Sequence, residues 1–249
     1  ELTSRGSADF FVARLDRDGR PIWAQSGGGP AYDFVRDIAF DGDGSLYLAG
    51  AFRNEASFGK ERIVGNGDLD VFVAKIDSET GSVAWLVGGG SSGADFAQGV
   101  TTADGDVFVT GYFGARGTLF GADTGANRGG EHVFVARLDT DGARRWLVTG
   151  GGASDDRQHG VVVQGSEVVV AGTFSGRTAF ADTTLESAGG RDVFILRVSD
   201  SGKHIACHAA GGIGDDAVTG ITLRAGGSVV LAGSFTNEWH FGDTTLVSE

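Results

Sequence analysis

One segment of about 61 residues recurs four times along the chain, and this repetition constrains the fold more than any other feature. The copies register at Phe11, Phe72, Phe134 and Phe194, with spacings of 61, 62 and 60, and again at Gly50, Gly111, Gly172 and Gly233, with a spacing of 61 each time. A fixed period of this size belongs to architectures in which one unit cannot bury its apolar face without its neighbours. The expected division is a single domain over 1–249, with repeats at about 1–68, 69–130, 131–190 and 191–249.

The second copy is the cleanest. Asp70 to Asp77 is rich in β-branched and aromatic residues and runs into the turn Ser78-Glu79-Thr80-Gly81, so it reads as a strand entering a hairpin. Ser82 to Val87 returns, and the triplet Gly88-Gly89-Gly90 releases the chain into a loop. Gln98 to Thr102 and Asp106 to Phe113 form a second hairpin. Four strands per copy follow, with room for a short fifth in 114–131, where Phe120 matches Phe58, Phe180 and Phe241. No segment keeps helical apolar spacing, so the expected class is all-β.

Tandem four-stranded antiparallel units make a β-propeller, with a segment of a larger propeller or a β-solenoid as the alternatives. The chain begins with the first hairpin of a copy and ends just after the second, which predicts a ring clasp: strands from the two termini completing one blade. If the ring is incomplete, its free edges invite self-association.

The run 70–77, then Ala84-Trp85, the glycine triplet and Val107 to Gly111, resembles the bacterial β-propeller repeat family historically called seven-bladed (SBBP). The segment Gly211-Gly212-Ile213-Gly214-Asp215-Asp216 is similar to arrays in large surface or secreted proteins of myxobacteria-like organisms. The resemblance spans all four copies. It implies a propeller in an extracellular or cell-surface bacterial setting, without a common catalytic motif; the departure is four units where the family name has seven.

The formal charge of −13, from 20 basic and 33 acidic residues, repels phosphate backbones and argues against a nucleic-acid partner. No apolar run is long enough for a membrane-spanning helix, so membrane insertion is not expected. The start at Glu1 reads as a mature or excised piece of something longer. With Cys207 alone there is no internal disulfide, so packing must hold the fold.

Alternation of hairpin turns places the acidic turns Asp16 to Gly19, Asp41 to Gly44 and Asp139 to Gly142 on one face. The glycine-triplet loops lie on the other, where a ligand-binding face is expected at Tyr32, Asp33, Asp95, Asp155, Asp156, Arg157, Asp215, Asp216 and Trp239. The neighbouring acids Asp155-Asp156 and Asp215-Asp216 are the metal candidates, because adjacent like charges invite a cation; no cofactor is required, and calcium is the one such acids would take. The acidic turns lack an EF-hand's further ligands and read as Asp-Gly turns. Cys207 aligns with Trp23, Trp85 and Trp146 and reads as a core thiol, while the tryptophans read as packing between units.

No nucleophile elbow, zinc-protease pair or phosphate loop occurs, so no catalytic residue is assigned. The expected function is a non-catalytic extracellular module that binds protein or glycan through its loop-rich face. A propeller glycoside hydrolase or lyase, and a structural spacer in a surface fibre, are the alternatives.

Overall fold

The computed structural model describes residues 2–224 and 228–248. They form 22 strands and no helix, all paired antiparallel within several sheets. One expectation needs extending. The connection inside each repeat adds a two-stranded hairpin rather than a fifth strand; the first three hairpins join the sheet of the preceding unit, and the last, Glu238–Phe241 with Thr244–Val247, stands as its own sheet with a single bridge from His240 to Gly211.

The best example begins with Asp95–Ala103, which pairs with Asp106–Phe113; this strand pairs with His132–Leu138, and that one with Arg144–Gly152. Onto the outer edge of Arg144–Gly152 comes a hairpin from the next unit, through Gly150↔Phe180, Gly151↔Ala179 and Gly152↔Thr178. The same stitch joins Gly117 and Thr118 to Ser91 and Gly90, and Phe58 and Ser57 to Gly27 and Gly28. Consecutive glycines explain why the joint sits there, since the approaching backbone occupies the space of a Cβ: at Gly152 it would meet the carbonyl of Arg177. In the third unit the two long strands Glu167–Phe180 and Thr183–Ser199 serve one sheet at one end and its predecessor at the other, fusing two sheets into one of eight strands.

Successive sheets pack face to face. Phe72, Ala74 and Ile76 meet Phe10 and Val12; Phe134, Ala136 and Leu138 meet Val71 and Val73; Phe194, Leu196 and Val198 meet Val133 and Val135. The first strands of the units, Phe34–Phe40, Asp95–Ala103, Arg157–Gln164 and Ala217–Leu223, are neighbours in that order. Asp37 bridges the first two by accepting the Val100 amide at 2.8 Å.

Tryptophan clips lock the seams. The indole of Trp23 donates to Ser78 O at 3.0 Å, Trp85 to Thr140 O at 2.9 Å and Trp146 to Asp200 O at 2.7 Å, each into the turn of the following unit. Gly81, Gly142 and Gly202 lie under these rings at φ near 80°, where a side chain would both clash and be strained. Packing between units is therefore what the repeating tryptophans do. The alignment of Cys207 needs correction by one residue: Trp146 pairs with Arg137, and Arg197, its counterpart, pairs with Ala206. The last spacing of 60 rather than 61 moves the register. Cys207 is buried in the core, and burial pushes its thiol up to about 12.

The ring clasp is not formed among the described residues. Phe10–Leu15 pairs only with Pro21–Gly28, and Val229–Ser234 only with Ala217–Leu223, so the two terminal parts do not share a sheet. The described residues thus hold three sets of four core strands, flanked by two strands of a further set at the start and two of another at the end.

Candidate functional site

The acids expected to line a ligand-binding face divide into two groups. Asp33, Asp95, Asp156 and Asp216 are at most 1% exposed and serve the backbone. Each accepts the amide four residues earlier: Gly29 at 2.7 Å, Ser91 at 2.6 Å, Gly152 at 2.7 Å and Gly212 at 2.8 Å. Three of them also reach about twenty residues ahead, to the amides of Arg53, Gly114 and Thr236. The glycine triplets, expected to open a loop, instead end the strands Val83–Ser91 and Arg144–Gly152, and the carboxylate is a clamp that satisfies amides at or just past such strand ends. Burial raises the proton affinity of Asp33 and pushes Asp95 up to about 6 and Asp156 up to about 7.

Asp155 and Asp215 are exposed, unlike their buried neighbours. Asp155 accepts the Glu131 amide at 3.0 Å and Asp215 the Arg191 amide at 2.9 Å. Asp155-Asp156 and Asp215-Asp216 therefore do not converge on one ion, and among the described residues no group of three or more His, Cys, Asp or Glu side chains has the arrangement of a metal site. The acidic turns are likewise self-contained: Asp16 Oδ1 accepts the amides of Asp18 and Arg20 at 2.9 and 2.8 Å, and Asp139 Oδ1 those of Asp141 and Ala143 at 3.1 and 2.8 Å. Tyr32 is 56% exposed. Trp239 is half-buried and lies 5.8 Å from Phe241, in the hairpin Glu238–Phe241 with Thr244–Val247, and is not a free platform.

What the sequence reading missed lies just past each clamp. All four first strands carry a β-bulge, visible where the register skips Arg36, Gln98, His159 and Thr219. Bulges re-aim a side chain out of the ladder. Around them runs an aromatic and cationic array: Phe34 stacks on Phe96 at 5.7 Å, Phe96 lies 4.9 Å from Tyr112, Arg36 covers Phe34 at 4.6 Å, and Arg157 covers Tyr112 at 5.2 Å. Glu131 pairs with Arg157, and one of its bonds is 3.0 Å. His159 lies 3.3 Å from Thr173, and burial, with the charges of Arg157 and Arg191, lowers its proton affinity. Of the residues expected here, Arg157 alone belongs to this array. The usable signal was position: the bulged residue stands three places after each clamp aspartate.

The frame is therefore fourfold and its decoration is not. Phe34 with Arg36, Phe96 with Gln98, Arg157 with His159, and Ala217 with Thr219 occupy equivalent places. No model of a known protein family matches the chain, and no curated protein matches it either.

Proposed function

We propose that this chain is a non-catalytic binding and scaffold module of the bacterial β-propeller repeat type, acting outside the cell and taking a protein or glycan on its loop-rich face. The observation that carries the reading is the contrast just described: an identical clamp in each unit holds a different pair of side chains at the head of each inner strand. A constant frame with variable loop-side residues suits recognition. Stacked aromatics under guanidiniums offer a sugar ring or a peptide both a flat apolar surface and charged donors. Fanned blades are supported by the adjacency of the first strands, with the inserted hairpins filling the periphery.

A glycan array probed in calcium and in chelator tests this reading. Binding that is lost in Arg157→Ala and Phe96→Ala, at unchanged melting temperature, supports it. Binding that survives both substitutions moves the site elsewhere, and turnover of a bound sugar replaces the reading with a glycoside hydrolase or lyase. Calcium dependence would assign the ion to the loop face. The spacer reading is favoured by one observation, the free strand edge at each end of the described residues.

A further inference from the structure

The two unpaired edges are complementary to each other. In every complete sheet a glycine on the second strand faces a phenylalanine on the third: Gly50↔Phe72, Gly111↔Phe134 and Gly172↔Phe194. The ring lies over the glycine so closely that a Cβ would come within 2.9, 2.5 and 2.5 Å of it. Gly233 holds the same place in Val229–Ser234, yet the three atoms nearest its Cβ position belong to Ala217 and Val218, with no aromatic ring among them. No phenylalanine among the described residues stands opposite it. The fourth phenylalanine of the series, Phe11, is 70% exposed, whereas Phe72, Phe134 and Phe194 are fully buried.

The rest of the seat matches. Next to Gly233 opens a cavity of about 770 Å3 lined by Val193, Ile195, Leu231, Trp239, Phe241 and Leu246. Val193 and Ile195 are the counterparts of Val71 with Val73 and of Val133 with Val135, which receive the Phe-x-Ala-x-Leu or equivalent face of the next sheet. Phe241 is the counterpart of Phe58, Phe120 and Phe180; it is 45% exposed where those are at most 8% exposed. At the other end, Phe11, Ala13 and Leu15 present that same face to solvent.

We propose that the groove at Gly233 takes the strand Phe10–Leu15 of a second copy of this chain, joining copies head to tail in the register Gly233↔Phe11 and Leu231↔Ala13. Each chain would then complete the half-sheet at one end of its neighbour. The seam differs from the internal ones in one respect. Ala206 stands where the tryptophan clips stand, and Gly19, the counterpart of Gly81, has nothing within 4 Å of its Cβ position. The contact lacks its lock, which fits an association between copies that forms and dissociates. Because the interface is heterologous, each addition leaves a groove at one end and a strand at the other.

Sedimentation velocity on the 249-residue chain tests the proposal. The wild type is expected to gain mass with concentration past the dimer. Phe11→Asp and Leu231→Asp each sediment as one chain, and their equimolar mixture gives two-chain particles that grow no further, because one variant keeps the groove and the other the strand. A second measurement does not depend on those variants folding. Ala13→Cys and Leu231→Cys chains, mixed and oxidised, yield a two-chain disulfide product. A wild type of single-chain mass at all concentrations overturns the proposal, as does a disulfide that forms only within one chain carrying both cysteines, which would mean that the ends close on each other.

Discussion

Asp95 and Asp156 tie the stability of the fold to pH. Both are buried with proton affinities raised to about 6 and about 7, principally by desolvation. A carboxyl whose folded value exceeds its unfolded value of about 3.9 binds more protons folded than unfolded. Its contribution is complete below the unfolded value and is lost as pH rises through the folded one. These two acids therefore stabilise the fold around pH ~4 to 5 and cease to do so by pH ~8, each contributing a slope of at most about 1.4 kcal/mol per pH unit. Calorimetry across that range should show the melting temperature falling as pH rises, and Asp95→Asn should flatten the trend. A melting temperature that climbs steadily from pH ~4 to 8 would refute it.

These aspartates also mark where sequence reasoning reaches its limit. An Asp beside a glycine triplet looks like a solvated loop acid, and only the folded chain reveals two or three amides pointing at it. Cys207 was misplaced by a single residue because the last period is shorter. The strands themselves were legible, since Asp70–Asp77 and Asp106–Phe113 alternate aromatic and β-branched residues between clear turns and have the bounds expected of them. The bulges were not, because a skipped partner leaves no mark in composition.

At the scale of elements, the inserted hairpins do what the sequence could not announce: they pair with a strand belonging to another repeat, a non-local choice. Phe180 and Phe241 hold equivalent places in these hairpins but have unequal surroundings. Phe180 is 1% exposed and lies 4.9 Å from Phe194, so Phe180→Ala should cost about 3 to 5 kcal/mol in urea unfolding. Phe241→Ala should cost under about 0.5 kcal/mol in the single chain, as for other exposed positions, while weakening any self-association seen by sedimentation. Equal losses at the two sites would show that the last hairpin is already covered. Gly111→Val probes the same packing from the strand side. Its side chain would strike both Phe134 and the carbonyl of Phe96, and a large drop in melting temperature is expected, whereas at exposed Gly121, which has open space but φ of 76°, the drop from alanine should be small.

Across the whole molecule, three of the seams between successive sheets carry a tryptophan clip, and the seam onto the last half-sheet packs without one. Trp23, Trp85 and Trp146 secure the first three, and each lays a half-buried indole over a glycine while donating to a turn carbonyl. Trp85→Ala should therefore uncouple adjacent sheets. Native-state hydrogen exchange would then report separate opening of the parts before and after the seam, where the wild type opens as one unit. If exchange stays uniform, the clips are dispensable.

The stitch between units has an effect on inheritance. The three laddered seams present the same backbone pattern to their successors, so excising one whole period in frame between them joins compatible surfaces and preserves the reading of the remainder. Lineages can then lengthen or shorten such an array by unequal exchange, without designing a new junction each time.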